Sequence, residues 1–247
     1  RNRIIDLMEQ AENETDPILR KALLRIGIVG GGFAGVETAG ELNDFIADIS
    51  EYYPSIDERD VKVTLIEAST EILGGFPLKL AGFAKEKLVE RGIELILDAG
   101  VTSFDGKEIL LKSQSKSNKI LLSDSSQQKG HSQLVTLDSI SSRTLVWTAG
   151  VTPIDLIKES LFQTHKGRII VNEFLQVPEF PEVFAIGDCS TFDPKLTMKP
   201  FPPTAQIAEA HAKIAAKNLK ELLNGHPMSQ FDYTWKGQSA IIGKRTG

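Results

Sequence analysis

Cysteine is nearly missing from this sequence, and Cys189 stands alone. A single thiol closes no internal disulfide and supplies no redox-active dithiol, and it suits a reducing compartment. Long apolar runs are also missing. No stretch approaches the roughly 18 residues that cross a bilayer as a helix, and the opening RNRIIDLMEQ has no apolar signal-peptide core. Positive charge is short as well: 28 Lys and Arg against 33 Asp and Glu leave a net charge of -5 and no basic excess for nucleic-acid phosphates. Several chemistries leave no trace. There is no GxSxG, and neither GVTSFDGK (100 to 107) nor GQSAIIGK (237 to 244) fits a P-loop, each having one residue too many and no following Ser or Thr. His131, His165, His211 and His226 are isolated, with no second His or Cys at metal spacing, and read as loop or surface residues.

What remains is an ordinary globular composition, 41% apolar and 25% charged over 247 residues, enough for one large or two modest domains. Helical spacing marks residues 3 to 13. Thr15-Asp16-Pro17 then offers a cap and a first-turn Pro for a second short helix to about Leu24. From there the pattern alternates: a buried strand RIGIVG (25 to 30), a glycine loop, a helix from about Ala34 to Tyr52, a strand VKVTLIEA (61 to 68), a helix 80 to 92 ending in Gly, and a strand IELILD (93 to 98). That order predicts βαβ units and a parallel sheet. Residues 101 to 140 change to short β runs parted by polar clusters, read as an antiparallel meander with SQSKSN and SDSSQQKGHSQ as hairpin loops. RTLVWTAG (143 to 150) is expected as one more buried strand, with Trp147 in the core, and a boundary near Gly150 follows. GRIIV, EVFAIG, a helix over 205 to 223 and a β-like close, DYTWKGQSAIIGKRTG, complete the chain. Cys189 reads as a small packing residue. The opening without Met and the stop within a strand-like run lead us to expect a piece of a longer protein.

GIVGGGFAGVE holds GxGxxG in Gly30, Gly32 and Gly35, with Gly31, Phe33 and Ala34 between them. Its context, a strand before and a helix after, gives the pattern its content. Gly30 permits the tight turn, Gly32 lets a pyrophosphate approach, Gly35 lets helix and strand pack, and the helix N-terminus offers amides to phosphate. Glu67, ending the next strand, suits the two ribose hydroxyls of adenosine and repels a 2'-phosphate; no Arg follows in Ala68, Ser69 or Thr70, so NADH is favoured over NADPH. Its distance, 67 - 35 = 32 residues past Gly35, exceeds the usual about 20, and the surplus reads as a helix extension and loop over 44 to 60.

EVFAIGDCST (182 to 191) is an apolar strand stopping at Gly187-Asp188, followed by the PPTAQ entry (202 to 206) into a long helix. Flavoproteins hold the far side of FAD in this way, with Asp188 on a ribitol hydroxyl, Gly187 permitting close passage, and amides at Thr204, Ala205 and Gln206 toward the flavin. That helix N-terminus favours negative charge on a reduced ring. The ADP half of FAD needs a glycine loop of its own, and no second GxGxxG remains.

VGGGFAGVETAGEL, VTLIEAS, LVWTAGV, VFAIGDCS, PPTAQ and AIIGK together resemble the type II NADH dehydrogenases, single-subunit FAD-dependent NADH:quinone oxidoreductases. The likeness runs from about Leu24 to the end. It implies an α/β two-dinucleotide-binding-domain flavoprotein fold. Residues 1 to 25 would form a helical connector from the FAD domain, 26 to 149 a Rossmann-like NAD domain with parallel sheet and antiparallel meander, and 150 to 225 the second part of a split FAD domain. Residues 226 to 247 would begin a C-terminal β and membrane-proximal region. The resemblance also implies FAD and NADH as cofactors, a menaquinone- or ubiquinone-type membrane quinone as acceptor, and peripheral association with the inner face of the cell membrane through a segment outside these residues. No nucleic acid is expected, and a homodimer is left open. By the same likeness Glu37 lies near the nicotinamide in a polar or proton-handling role, although a carboxylate steadying its own helix N-terminus reads equally well. Gln206 falls at the flavin side of the quinone pocket. Ala149 and Gly150 of the TAG turn line the cofactor, and Lys244 places a cation near flavin or quinone, with a surface lysine as the plainer reading. Two other readings stay open: a related flavin reductase serving ferredoxin, rubredoxin or sulfur acceptors, and a nucleotide-binding protein like apoptosis-inducing factor.

Overall fold

Strand β1 (Arg25–Val29) shows how the fold is built: Ile26 and Ile28 point into one buried cluster, while Gly27 faces the other side of the sheet. The same period of two runs through β2 (Lys62–Ile66) and β3 (Glu94–Leu97), where Leu65 and Leu95 join the first cluster and Ile66 and Ile96 the second. Strands covered on both faces read as nearly continuous apolar runs, as these do. The computed structural model describes residues 1–113, 118–122, 131–135, 138–151, 153–192, 201–234 and 236–244.

Two helices open the chain, α1 (Asn2–Asn13) and α2 (Pro17–Leu23). The Asp16 carboxylate caps α2 by accepting the Ile18 N–H at 2.9 Å, as the Asp-Pro pair predicts. Helices α3 (Phe33–Ser50) and α4 (Leu78–Glu90) link β1, β2 and β3 into parallel neighbours. With α1 they cover one face of the sheet through Leu7, Val36, Ala39 and Leu88.

The other face carries a three-stranded antiparallel sheet of β4 (Ala99–Phe104), β5 (Glu108–Ser113) and β8 (Ser139–Ser141). A Cβ at Gly27 would meet Ile109 Cδ1 at 2.6 Å, so the glycine is what lets the two sheets close up. Here the expected single meander is corrected. The pair β6 (Asn118–Leu122) and β7 (His131–Val135) leaves it and adds to β3 as antiparallel strands; with β9 (Thr144–Trp147) the six-stranded order is β7-β6-β3-β2-β1-β9. The two polar stretches expected as hairpin loops fall largely outside the described residues.

Strand β9 (Thr144–Trp147) pairs parallel with β1 but forms the sheet's edge and is half-buried. Trp147 is 60% exposed rather than a core residue, and its Nε1 donates to the Ala149 carbonyl at 2.6 Å.

The chain separates into two compact units, Arg1–Gly150 with Gln238–Gly247, and Val151–Gly237. The second holds a short helix α5 (Asp155–Lys158), then β10 (Thr164–His165), β11 (Arg168–Val171), β12 (Gln176–Val177), β13 (Phe180–Phe184), β14 (Ser190–Phe192) and α6 (Ala205–Leu223). Ile207, His211, Ala215 and Asn218 make the buried stripe of α6. The β-like close contains no strand among the described residues. Its Ala240 and Ile242 are buried with the first unit's core, so apolar content there serves packing and not pairing.

Candidate functional site

The glycine loop follows β1 in the first unit. Gly30 has φ +105°, and a Cβ there would lie 2.9 Å from the Ala149 nitrogen. Both conditions exclude larger residues, and both bring the TAG turn against the loop. A Cβ at Gly35 would stand 1.7 Å from the Gly30 carbonyl, so the helix starts pressed onto the turn. Gly32 is the opposite case: its φ is -73°, and an added Cβ would meet nothing within 4 Å. The helix N-terminus therefore opens onto free space, and no side chain caps α3. Phe33 packs edge-on against Phe76 at 5.4 Å, and Ala34 is exposed beside it.

Glu67 reaches this loop despite its long sequence separation. Its Oε2 accepts the Gly31 N–H at 2.5 Å, and its Oε1 accepts the Ser69 N–H and hydroxyl, each at 2.7 Å. A Cβ at Gly31 would touch Glu67 Cβ at 3.0 Å. The surplus residues 44 to 60 continue α3 to Ser50 and return as turns to β2, leaving the parallel register intact. Thr148, which sequence reasoning passed over, fastens β9 to the loop: its hydroxyl donates to Val29 O at 2.7 Å and lies 3.3 Å from Gly30 O. A polar side chain one residue past a strand end was the available signal. Gly150 follows with φ +71°.

Glu37, on the first turns of α3, accepts the Ile241 N–H at 3.3 Å and so ties the closing segment to the helix. Lys244 is not brought to the loop. Its backbone N–H donates to Asp44 at 2.6 Å and its ammonium pairs with Asp48, which lies 48 - 37 = 11 residues beyond Glu37, about 16 Å by helical rise. The Asp48 pairing holds the lysine's pKa above its ordinary value, as do Asp44 and Glu41 nearby.

The second unit gathers the other residues. Gly187 turns with φ +68° just after β13, and Asp188 stands exposed with no side-chain partner among the described residues. The Gly187 N–H donates to His211 Nδ1 at 3.1 Å, and the Gly187 carbonyl accepts the Ser190 hydroxyl at 3.0 Å. Thr204 caps α6 through its hydroxyl, and Ala205 begins the helix. Gln206 is satisfied internally, donating to Gly237 O at 3.2 Å and accepting the Tyr233 hydroxyl at 2.8 Å. Asp188, Gly187, Pro202, Pro203, Ile207 and His211 line one small cavity, so the Gly-Asp turn and the PPTAQ entry meet. Asp188 and Cys189 also border an apolar cleft of about 900 Å³ lined by Ile154, Phe162, Val183 and Ile186. Cys189 is partly exposed, its thiol donating to Ile186 O at 3.1 Å.

The expectation of loop or surface histidines holds for His165 and His226, which are exposed, and fails for His211. At 4% exposure it sits in an aromatic cluster, 4.5 Å from the Phe231 ring, and burial lowers its pKa to about 4. Its place between Ile207 and Ala215 on one helical stripe was the signal. The side chain of His131 lies outside the described residues. The described residues contain no cluster of His, Cys, Asp or Glu fit for a metal, and no helix long and apolar enough to cross a membrane.

The first unit thus has a glycine loop bonded by an acid from the next strand's end, and the second a strand-end Gly-Asp beside the start of a long helix. The NDH2 protein of Plasmodium falciparum, solved in complex with NADH, superposes with a TM-score of 0.77 at 21% identity, covering 98% of this chain and 60% of that one. Type II NADH:quinone oxidoreductases of Staphylococcus saprophyticus and Staphylococcus aureus are 32% and 31% identical over 91% of this chain and 50% of their own length. The chain thus spans about half the length of the curated relatives it matches. The family model described as pyridine nucleotide-disulphide oxidoreductase matches residues 1–212, and the chain, α/β in fold, belongs to that family.

Proposed function

We propose that the protein to which these residues belong oxidises NADH and passes two electrons, through FAD, to a membrane quinone. The observation that carries the nucleotide half is the open front of Gly32 beside an acid-anchored loop. The α3 amides bind the pyrophosphate, Gly32 leaves it room, and Glu67 accepts the adenosine ribose hydroxyls with the lone pairs its loop bonds leave free. Glu37 stands on the next turn as the polar group near the nicotinamide.

The second unit fits the far half of FAD. Asp188 carries a carboxylate without a side-chain partner among the described residues, at a glycine turn whose added Cβ would meet Ala208 at 3.4 Å, against the N-terminal part of the Thr204-capped helix. Asp188 binds a ribitol hydroxyl, the amides at Thr204 to Gln206 face the ring's polar edge, and the apolar cleft excludes water beside it. Bound FAD supplies the two-electron chemistry between nicotinamide and acceptor; the protein positions both. Gln206 completes the proposed set at the quinone side, Lys244 being paired with Asp48 instead, and peripheral attachment to the membrane gives the acceptor access.

The choice of quinone rests on the staphylococcal relatives, whose names carry that acceptor. The test is made on the full-length gene product, followed anaerobically by flavin absorbance. Bleaching by NADH and recovery on adding a quinone are expected. Bleaching that only a ferredoxin-type protein or a sulfur compound reverses would move the acceptor to the reductase reading, and absence of bleaching would leave a nucleotide-binding protein.

A further inference from the structure

His211 is a buried ring whose two nitrogens do different things. Nδ1 accepts the Gly187 N–H at 3.1 Å, so Nδ1 is unprotonated and the proton of the neutral ring is on Nε2. Nε2 is buried without a hydrogen-bond partner among the described residues, and the ring packs edge-on with Phe231 and Phe192, centroid to centroid 4.5 and 6.4 Å. A polar side chain kept in an aromatic cluster at that cost is explained by the one bond it makes. That bond ends at Gly187, immediately before the carboxylate proposed to hold FAD. On the other side of the peptide, Ser190, itself 5% exposed, donates to the Gly187 carbonyl. Gly187, entering Asp188, is therefore fastened at both its N–H and its carbonyl, while the Asp188 side chain has no partner among the described residues. His211 also lies on α6, 211 - 206 = 5 residues from Gln206, on the helix whose N-terminus forms the other part of the same half-site. The charged groups lining its cavity are Arg168 and Asp188.

We propose that His211 is the positioning residue of the flavin half-site: its Nδ1 locks the Gly187–Asp188 turn to α6, so that the ribitol-binding carboxylate and the helix N-terminus keep one fixed spacing. The proposal rests on the reading of Asp188 as a flavin ligand. It gives the ring no contact with flavin and no proton to transfer.

The test uses the full-length protein stripped of flavin and titrated with FAD, with free-flavin fluorescence as the readout. His211→Leu keeps the bulk and removes the acceptor; His211→Asn keeps an acceptor oxygen near the position of Nδ1. We expect His211→Leu to weaken FAD about tenfold, the worth of one positioned hydrogen bond, and His211→Asn to restore most of it, with wild-type-like circular dichroism and cooperative unfolding in both as evidence of folding. Equal loss in both variants would assign the residue to packing and overturn the proposal. So would wild-type FAD affinity in His211→Leu while Asp188→Ala loses flavin. Unchanged affinity in Asp188→Ala would instead remove the flavin reading beneath it. Without any variant, the Gly187 amide proton of the holoenzyme should exchange as slowly as core amides; exchange at the rate of an open loop would refute the lock.

Discussion

Gly32 and Gly35 lie three residues apart and face opposite demands, which makes them the sharpest test of the nucleotide loop. Gly35→Ala forces a Cβ to 1.7 Å from the Gly30 carbonyl, so the turn must open; we expect a loss of about 1–3 kcal/mol in stability together with loss of NADH binding. Gly32→Ala meets no protein atom and keeps an ordinary φ, so stability should stay within about 0.5 kcal/mol while NADH affinity falls, because only the ligand approaches that face. Denaturant unfolding and NADH titration of both variants separate the two roles. His211 gives a pH dependence with a definite sign. Its folded pKa, about 4, lies below the ordinary 6.5, so the unfolded chain binds the proton first. Stability is complete above about 6.5 and falls as pH drops toward 4, by up to about 3 kcal/mol. Thermal unfolding across that window should show the slope in the wild type and a shallower one in His211→Asn.

Among the elements, the closing segment is the most exposed to test. A Cβ at Gly40 would lie 2.6 Å from Gly243 N and Ile242 C, and Gly243 itself has φ +93° with Asp44 and Arg91 crowding it. Alanine is the better helix former, yet Gly40→Ala should cost about 1–3 kcal/mol and loosen residues 240–244, measurable by unfolding and by protease sensitivity of the C-terminal segment. The paired surface charges there contribute little: Lys244→Ala, losing a solvent-screened bridge, should leave the unfolding midpoint nearly unchanged.

The sequence made β1, α3, β2, α4 and β3 legible because each has a clean period and a capping or glycine signal. It did not reveal that β6 and β7 join β3, since short antiparallel runs of similar propensity carry no partner information. The apolar run of β9 looked buried because hydropathy records composition, not whether the strand is an edge. His211 escaped notice for a related reason: a single polar residue on an apolar stripe shows its bond only once Gly187 is folded beside it. Glu67 and the glycine loop were legible because turn, phosphate site and acid belong to one βαβ unit; Thr148 was not, because its partners lie more than a hundred residues earlier.

At the scale of the whole molecule, the residues proposed for NADH lie in one unit and those proposed for FAD in the other, and the sequence contains one GxGxxG. The 247 residues purified alone should therefore bind NADH but retain far less than one flavin per chain, since only one side of FAD finds its ligands here. Flavin absorbance against protein concentration checks this, and stoichiometric flavin would contradict it.

The bond from Glu67 to Gly31 has a kinetic meaning. Glu67, the acid proposed to select the ribose, also holds the loop by accepting the Gly31 N–H. Both nucleotides meet the same tethered loop, so NADH and NADPH should associate at nearly the same rate. Discrimination between them would appear as residence time, with the 2'-phosphate leaving early from beside a carboxylate that has nowhere else to turn.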